Sequence, residues 1–344
     1  MKKTFLLFVL AALLPMGANA YLYYKNYDAY VDGIYYKLSG DEAKVTYEED
    51  YVIPCYSGSV VIPSTITYEG KTYRVTAIDQ EAFWHCDDLT SVTIGDNVTS
   101  IGWRAFAICN ALTSITIPEN VTFTGEEAFY NCEGLKSATI CNGEIGGEAF
   151  WACTGLTSLT LGQGVTSIGT AAFECCKSLP SLTIPNRVTT ISYCAFWGCS
   201  SLTSVTIPVG LANISDKLFL GCTKLTSITI PESVNAIGEF AFSECGNLTD
   251  VSCMAENVPA TNSNAFKDSS IASATLHVPA GSVDKYRAAA PWNGFGAIVP
   301  VTATGIATVG NVKDEERFDL QGRKLQGKPA RGIYVEKGKK ILVK

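Results

Sequence analysis

Histidine is scarce, with two residues in a chain of 344. That leaves little material for a histidine-based metal or acid–base site. Charge is sparse as well, at 17% of residues against 47% hydrophobic. A disordered chain shows the opposite balance and is excluded. Beyond the first twenty residues no apolar run reaches the ~18 residues of a membrane-spanning helix, so none is expected in the mature chain. Gly-x-Ser-x-Gly, His-Glu-x-x-His, Gly-x-Gly-x-x-Gly and Cys-x-x-Cys are all missing, and with them the nucleophile, zinc, dinucleotide and redox sites they signal. No catalytic residue, cofactor or metal is expected. Cysteine breaks this pattern of scarcity: there are 13, in a chain too long for a disulfide-stapled miniprotein.

Lys2 and Lys3 precede an apolar stretch from Thr4 to Leu14, and Ala18-Asn19-Ala20 supplies a small-x-small cleavage pattern. That order reads as a secretory signal peptide over residues 1–20, with Tyr21 first after cleavage and the product secreted or on the cell surface. The first cysteine is Cys55, so a lipid anchor on a new N-terminal cysteine is not expected. The net charge of −7 hides a division: residues 21–310 carry 14 Lys and Arg against 28 Asp and Glu, and residues 311–344 carry 10 against 5. An acidic body argues against nucleic acid as a partner. The basic tail reads as a separate segment.

A repeat dominates everything else. Phe recurs at 83, 106, 129, 150, 173, 196, 219, 242 and 266, in steps of 21 to 24 residues that are mostly 23. In seven of these nine units it stands in Ala-Phe-x-x-Cys; Leu218 replaces the Ala once, and Ser269 replaces the last Cys. Six residues after the Phe comes an apolar run such as Leu112-Thr113-Ser114-Ile115-Thr116-Ile117-Pro118, and then a shorter one such as Val165-Thr166-Ser167-Ile168-Gly169. Each unit therefore reads as one coil of a strand-rich α/β solenoid with about nine 23-residue coils. Alternation places Ile115 and Ile117 inward and Ser114 and Thr116 outward. Stacked coils pair these short strands in parallel at about 4.8 Å per coil. The Val-x-x-Ile pair supplies the return side, and Ala-Phe plugs the corner. A single coil cannot bury its own apolar face, so neighbours and end caps are obligatory.

These three patterns resemble the bacterial BspA-like leucine-rich repeat over about Val60 to Pro279. The resemblance implies a binding protein without chemistry of its own, which adheres to a protein or glycoprotein of a host, a matrix or another cell. A structural or envelope-associated role without a host ligand is the alternative. The sequence departs from the commoner leucine-rich pattern by carrying Pro118, Pro185, Pro208 and Pro231 where asparagine is usual. Unit 128–148 is two residues short and has Cys141-Asn142-Gly143-Glu144 where the proline falls, so a local irregularity is expected there.

The expected organisation is a signal peptide (1–20), an N-terminal β cap (21–58), the repeat solenoid (59–279), a C-terminal helical cap (280–300), a linker (301–311) and a basic β-rich tail (312–344). The first cap reads as a hairpin about Ser39-Gly40-Asp41, and Val60 to Ile78 as a degenerate first repeat turning at Glu69-Gly70. Leu276 to Pro279 reads as the last strand, followed by a helix with Ser282 as N-cap and Asp284 in its first turn, ended by Pro291-Trp292. The tail is similar to the C-terminal sorting tails of exported proteins from Bacteroidetes-type bacteria, which implies sorting or surface attachment; folding merely as a small β unit is the other reading. Gly322 to Lys328 has phosphate-loop spacing, but Pro329 stands where Ser or Thr must ligate magnesium.

Eight cysteines share the Phe+3 position: Cys86, Cys109, Cys132, Cys153, Cys176, Cys199, Cys222 and Cys245. Neighbouring coils bring them within disulfide range, yet a column of equivalent positions does not turn paired Cβ vectors toward each other. A reduced ladder filling a small buried slot is the preferred reading. The other five, Cys55, Cys141, Cys175, Cys194 and Cys253, show no ligand spacing. Two groups are candidates for a binding surface. One is the outward strand face of Ser114, Thr116, Ser158, Thr160, Ser181, Thr183, Ser204, Thr206, Ser227 and Thr229. The other is Trp84, Trp151 and Trp197, each at Phe+1 and so along one edge, where exposed indoles suit protein or sugar contact.

Overall fold

Two apolar alternations per unit generate two parallel ladders, one on each side of the coil, and the phenylalanine corner joins them. In the computed structural model of the chain, residues 26–48 and 56–301 are described in full, and strands Arg317–Phe318, Gly332–Glu336 and Lys339–Val343 by backbone alone. The leader, Cys55, the linker after residue 301 and Gly322 to Pro329 lie outside the described residues. The described tail strands form one antiparallel sheet.

On the strand side, Ser114 pairs with Ser137 and Ser137 with Ser158; further along, Ser181 pairs with Ser204 and Ser227 with Asp250. On the return side, Ser100, Phe123, Glu144, Ser167 and Thr190 follow one another in register. Ile115 and Ile117 point inward and Ser114 and Thr116 outward, as the alternation requires. Proline ends most strands because it has no N–H to give the ladder. As Gly95 and Met254 do singly in two other coils, Cys141 and Gly162 occupy the proline position in two successive ones. There the two short strands run together as Ser137–Ile145 and Ser158–Ile168, with register shifts at Ile140/Asn142 and Gly143/Glu144. The irregularity expected of the short unit thus spreads over two coils. One coil later the strand-side ladder breaks between Ser158–Ile168 and Ser181–Thr183. In most other coils the residue before the outward Ser or Asp donates its N–H one coil back, as Thr157 does to Lys136 at 2.9 Å. Pro180 stands at that position and cannot.

The core is a spine of rings. Successive phenylalanines from Phe83 to Phe266 stack nearly parallel, with centroids 4.7 to 5.7 Å apart. Around them the backbone alternates hands: Phe−2 and Phe+2 are left-handed in nearly every coil, as at Glu81 and His85 or Arg104 and Ile108. Alternate N–H groups consequently point along the solenoid. Glu81, Phe83 and His85 donate to Trp103, Ala105 and Ala107 of the next coil, while Trp84 and Cys86 donate back within their own turn. A non-glycine left-handed residue costs roughly 1–2 kcal/mol, which the inter-coil bonds at about 0.5–1.5 kcal/mol each offset. Only Gly198 and Gly221 occupy the Phe+2 position at no such cost.

The cysteine column does more than fill a slot. From Cys109 onward, each thiol donates to the phenylalanine carbonyl of the preceding coil, from Cys109 to Phe83 at 3.0 Å through Cys245 to Phe219 at 3.3 Å. Ser269 continues the column with a hydroxyl bond to Phe242 at 2.5 Å. Burial pushes the thiols of Cys109, Cys153, Cys176 and Cys222 well above the ordinary range, and those of Cys199 and Cys245 to about 12. They stay protonated and serve as donors. One member departs from the expected reduced ladder: Cys86 is disulfide-bonded, whereas the other seven are free, as are Cys141, Cys175, Cys194 and Cys253. Cys86 begins the column, where the regular coils give way to the N-terminal cap and the donor chain has no earlier repeat to enter. Titration of the denatured, unreduced protein is therefore expected to find eleven thiols, and thirteen after reduction. Thirteen before reduction would remove the disulfide, and five or fewer would remove the ladder.

Both ends are closed by aromatic groups. At the N-terminus, Ala29–Val31, Ile34–Ser39 and Glu42–Thr46 form an antiparallel meander. Its last strand pairs in parallel with Lys71–Ile78, which also forms a hairpin with Thr65–Tyr68. Asp32-Gly33 and Glu69-Gly70 both have positive φ, the requirement of tight two-residue hairpin turns. Tyr56 covers Phe83 with centroids 4.5 Å apart. At the other end Trp292 and Phe295 meet Phe266 edge-on, each at 5.4 Å. The cap helix is Val283–Ala288, with Asp284 in its first turn. Ser282 does not cap it: its hydroxyl bonds Glu256 O at 2.7 Å and ties the cap to the preceding coil. Nor is Leu276 to Pro279 the last strand, because Ala297–Pro300 pairs with Thr275–Val278 and extends the sheet once more.

Candidate functional site

The ten predicted Ser and Thr hydroxyls are all exposed on the strand side, in two rows interrupted at Pro180. Beside these rows, Thr203, Thr226 and Thr249 spend their hydroxyls on carbonyls one coil back, at 2.9 to 3.3 Å. This face carries little charge; near its C-terminal end His277 Nε2 lies 3.0 Å from Asp250 Oδ2.

The corner edge is chemically richer. With Phe and the residue before it buried, most residues at Phe−3, Phe−2, Phe+1 and Phe+2 turn outward, Ala107, Cys194 and Leu220 being among the exceptions, and consecutive coils align them in columns. Trp103 Nε1 donates to Glu127 Oε1 at 3.1 Å, Arg104 Nε donates to Glu127 Oε2 at 2.7 Å, and the Arg104 guanidinium lies 4.4 Å from the centre of the Trp103 ring. Tyr130 and Trp151 stack at 4.6 Å and 8°. Lys217 donates to Tyr193 Oη at 2.7 Å and lies 5.1 Å from that ring and 5.8 Å from the ring of Trp197. Burial raises the carboxyl pKa of Glu148, and Glu127 and Glu126 raise it further. Burial likewise raises that of Glu174; the Trp151 indole works against the shift and Glu148 with it. Cys175 and Cys194, beside these groups, are pushed up chiefly by burial and are not activated nucleophiles.

The predicted tryptophans do lie on this edge. Trp197 is 37% exposed, while Trp84 and Trp151 are half-buried. His85 is followed by Cys86, but the two form no imidazole–thiol pair: Cys86 is disulfide-bonded, and His85 Nδ1 lies 2.9 Å from Asp87 Oδ2. An open cavity of about 640 Å³ lies between Tyr30, Tyr35 and Tyr56 at the N-terminal cap. Among the described residues no group of three His, Cys, Asp or Glu side chains is placed to hold a metal ion, and no helix is long and apolar enough to cross a membrane.

Residues 76–192 and 166–286, together more than half of the chain, match the BspA type leucine rich repeat region family in six copies. The chain belongs to the BspA-type leucine-rich repeat family. A leucine-rich repeat protein from Bacteroides ovatus is similar in fold to this chain, with a TM-score of 0.50 at 20% identity, over 80% of this chain and 77% of that one. The T. pallidum leucine rich repeat protein is 26% identical over 64% of this chain and 90% of its own, with a TM-score of 0.43. A leucine rich cell surface protein from Faecalibacterium prausnitzii is 21% identical over 80% and 95%, with a TM-score of 0.33. No curated protein matches the chain. Within the BspA-type coil, reasoning from sequence found Trp151 and Trp197 but not Tyr130, Glu148, Glu174, Tyr193 or Lys217. Tyr130 shares the Phe+1 column with the tryptophans and was open to the same reasoning. The others gain meaning only once neighbouring coils are in register.

Proposed function

We propose that the chain is an exported, surface-held binding protein that adheres to proteins or glycoproteins of a host, a matrix or another cell, and that it carries out no chemistry of its own. The corner edge carries this reading: tryptophan, tyrosine and ion-pairing groups gathered in columns on a rigid solenoid are the composition of a recognition surface. The basic start and cleavage pattern of residues 1–20 support export, and the basic tail 312–344 supports sorting or attachment. A panel of matrix proteins, mucins and glycans is the test, read by surface plasmon resonance with the parent chain and with Trp151→Ala and Trp197→Ala. One or more protein or glycoprotein ligands are expected to bind the parent, and the substitutions to weaken binding by about 10-fold or more, as for buried aromatic anchors. If nothing binds and protease added to intact cells leaves the protein whole, adhesion fails and the envelope-associated structural role takes its place. Unchanged surface location after deletion of residues 312–344 would discard the sorting tail.

A further inference from the structure

The corner edge brings aromatic rings and ionic groups together at several places, Lys267 over Phe240 among them, and one of these places lacks a part. Toward the N-terminus, Arg104 sits 4.4 Å from the Trp103 ring and is bonded to Glu127. Toward the C-terminus, Lys217 lies over Tyr193 and Trp197. Between them stands the Tyr130–Trp151 stack with Glu148 and Glu174. Among the described residues no Lys or Arg forms an ion pair with either carboxylate, and none lies over either ring. Tyr130 covers one face of Trp151. The next coil offers the other face no ring at the equivalent position, because Glu174 stands there.

We propose that Trp151, Glu148 and Glu174 receive a Lys or Arg side chain from a basic segment of a partner protein. This deepens the binding role proposed above and rests on it. An indole face with a carboxylate beside it is the arrangement that the chain already uses for its own Arg104, and a guanidinium suits it best because it can stack on the ring and bond the carboxylate together. The surrounding charge is complementary, since residues 21–310 carry 28 acidic against 14 basic side chains and so steer a basic partner inward. Partial burial favours the neutral form of each carboxylate; Glu127 and Glu126 add to this at Glu148, and Glu148 adds to it at Glu174, while Arg104 at the first and the Trp151 indole and Lys217 at the second offset it in part. A bound cation supplies the direct ion pair that Arg104 and Lys217, acting on these carboxylates only from a distance, do not make.

Calorimetric titration of the full chain with an acetylated hexa-arginine peptide, at low and at high salt, tests this. Binding is expected at low salt and is expected to weaken as salt rises. Trp151→Ala and Glu174→Gln should each weaken it by about 3- to 30-fold, while Glu232→Gln, an exposed carboxylate on a strand-side turn, should leave it within about 2-fold. Thermal melts separate binding from folding. Because the fold raises the Glu174 carboxyl pKa, its charged form works against the folded state at neutral pH, so Glu174→Gln is expected to melt no lower than the parent. Equal weakening by Glu232→Gln, or absence of hexa-arginine binding, overturns the proposal. If the parent captures a matrix protein but not hexa-arginine, this inference falls and the binding function stands; if it captures neither, both fall.

Discussion

Phe173→Ala is expected to destabilise the solenoid by about 3–5 kcal/mol, the cost of emptying a ring-sized site in a packed core. Phe173 is fully buried and stacks 5.2 Å from Phe150 and 5.6 Å from Phe196. The site is poorly able to collapse. The coils on either side are held at their spacing by backbone bonds that survive the substitution, among them Phe173 N–H to Ala195 O at 2.9 Å and Cys175 N–H to Trp197 O at 2.7 Å. The Cys199 thiol also keeps its acceptor, the residue 173 carbonyl. The loss therefore falls on packing alone. In a linear array each coil contacts only its neighbours, so a defect in the middle weakens the coupling between two halves. Urea denaturation is expected to show a lowered or split transition, and hydrogen exchange to quicken first in the coils of Phe150 and Phe196. Phe173→Leu, which refills much of the volume, should recover a large part of the loss. A loss below about 1 kcal/mol for the alanine variant would mean that the ring spine is not what holds the coils together.

The spine was legible because a period of 23 residues names its own register: once Phe recurs at fixed spacing, equivalent residues must stack. Strand alternation and the inward Ile pairs followed for the same reason. The backbone at the corner was not legible. Left-handed positions are usually announced by glycine, and here Glu81, Arg104, Ile108 and Ala152 occupy them with only Gly198 and Gly221 as hints. The inter-coil ladder over-determines that conformation, and a ladder is not a local property. The thiol donors were half-visible, since Ser269 in the cysteine column points to a required hydrogen-bond donor rather than a merely small residue. Cys86 could not be separated from its column by pattern, because its difference lies in standing where the column begins. The final strand was hidden behind the helix, although Ile298-Val299-Pro300 echoes the strand endings of earlier units. The corner edge was found only through its indoles. Charge partners such as Arg104 and Glu127 stand 23 residues apart and become a pair only when the coils stack.

Trp292→Ala carries a similar cost, about 3–5 kcal/mol, but a different reach. Trp292 is fully buried, meets Phe266 and Tyr286 edge-on at 5.4 and 5.3 Å, and donates Nε1–H to Thr261 Oγ1 at 3.0 Å. Its removal uncovers the last ring of the spine and leaves the Thr261 hydroxyl without this donor. Because it stands near the end of the array, only Phe295 and the strand Ala297–Pro300 follow it in the described solenoid, so the damage should enter from one side. Hydrogen exchange is expected to quicken through the helix Val283–Ala288 and the coils of Phe266 and Phe242, while the coils from Phe83 to Phe150 keep their protection. Trp292→Phe restores apolar cover without the indole bond and should recover most of the stability, with the residual deficit measuring the contact to Thr261. Uniform loss of protection along the chain would mean that the solenoid unfolds as one cooperative body, in which case Trp292 is an ordinary core residue. Protection that retreats coil by coil from the C-terminus would make it the closing element of a one-dimensional stack.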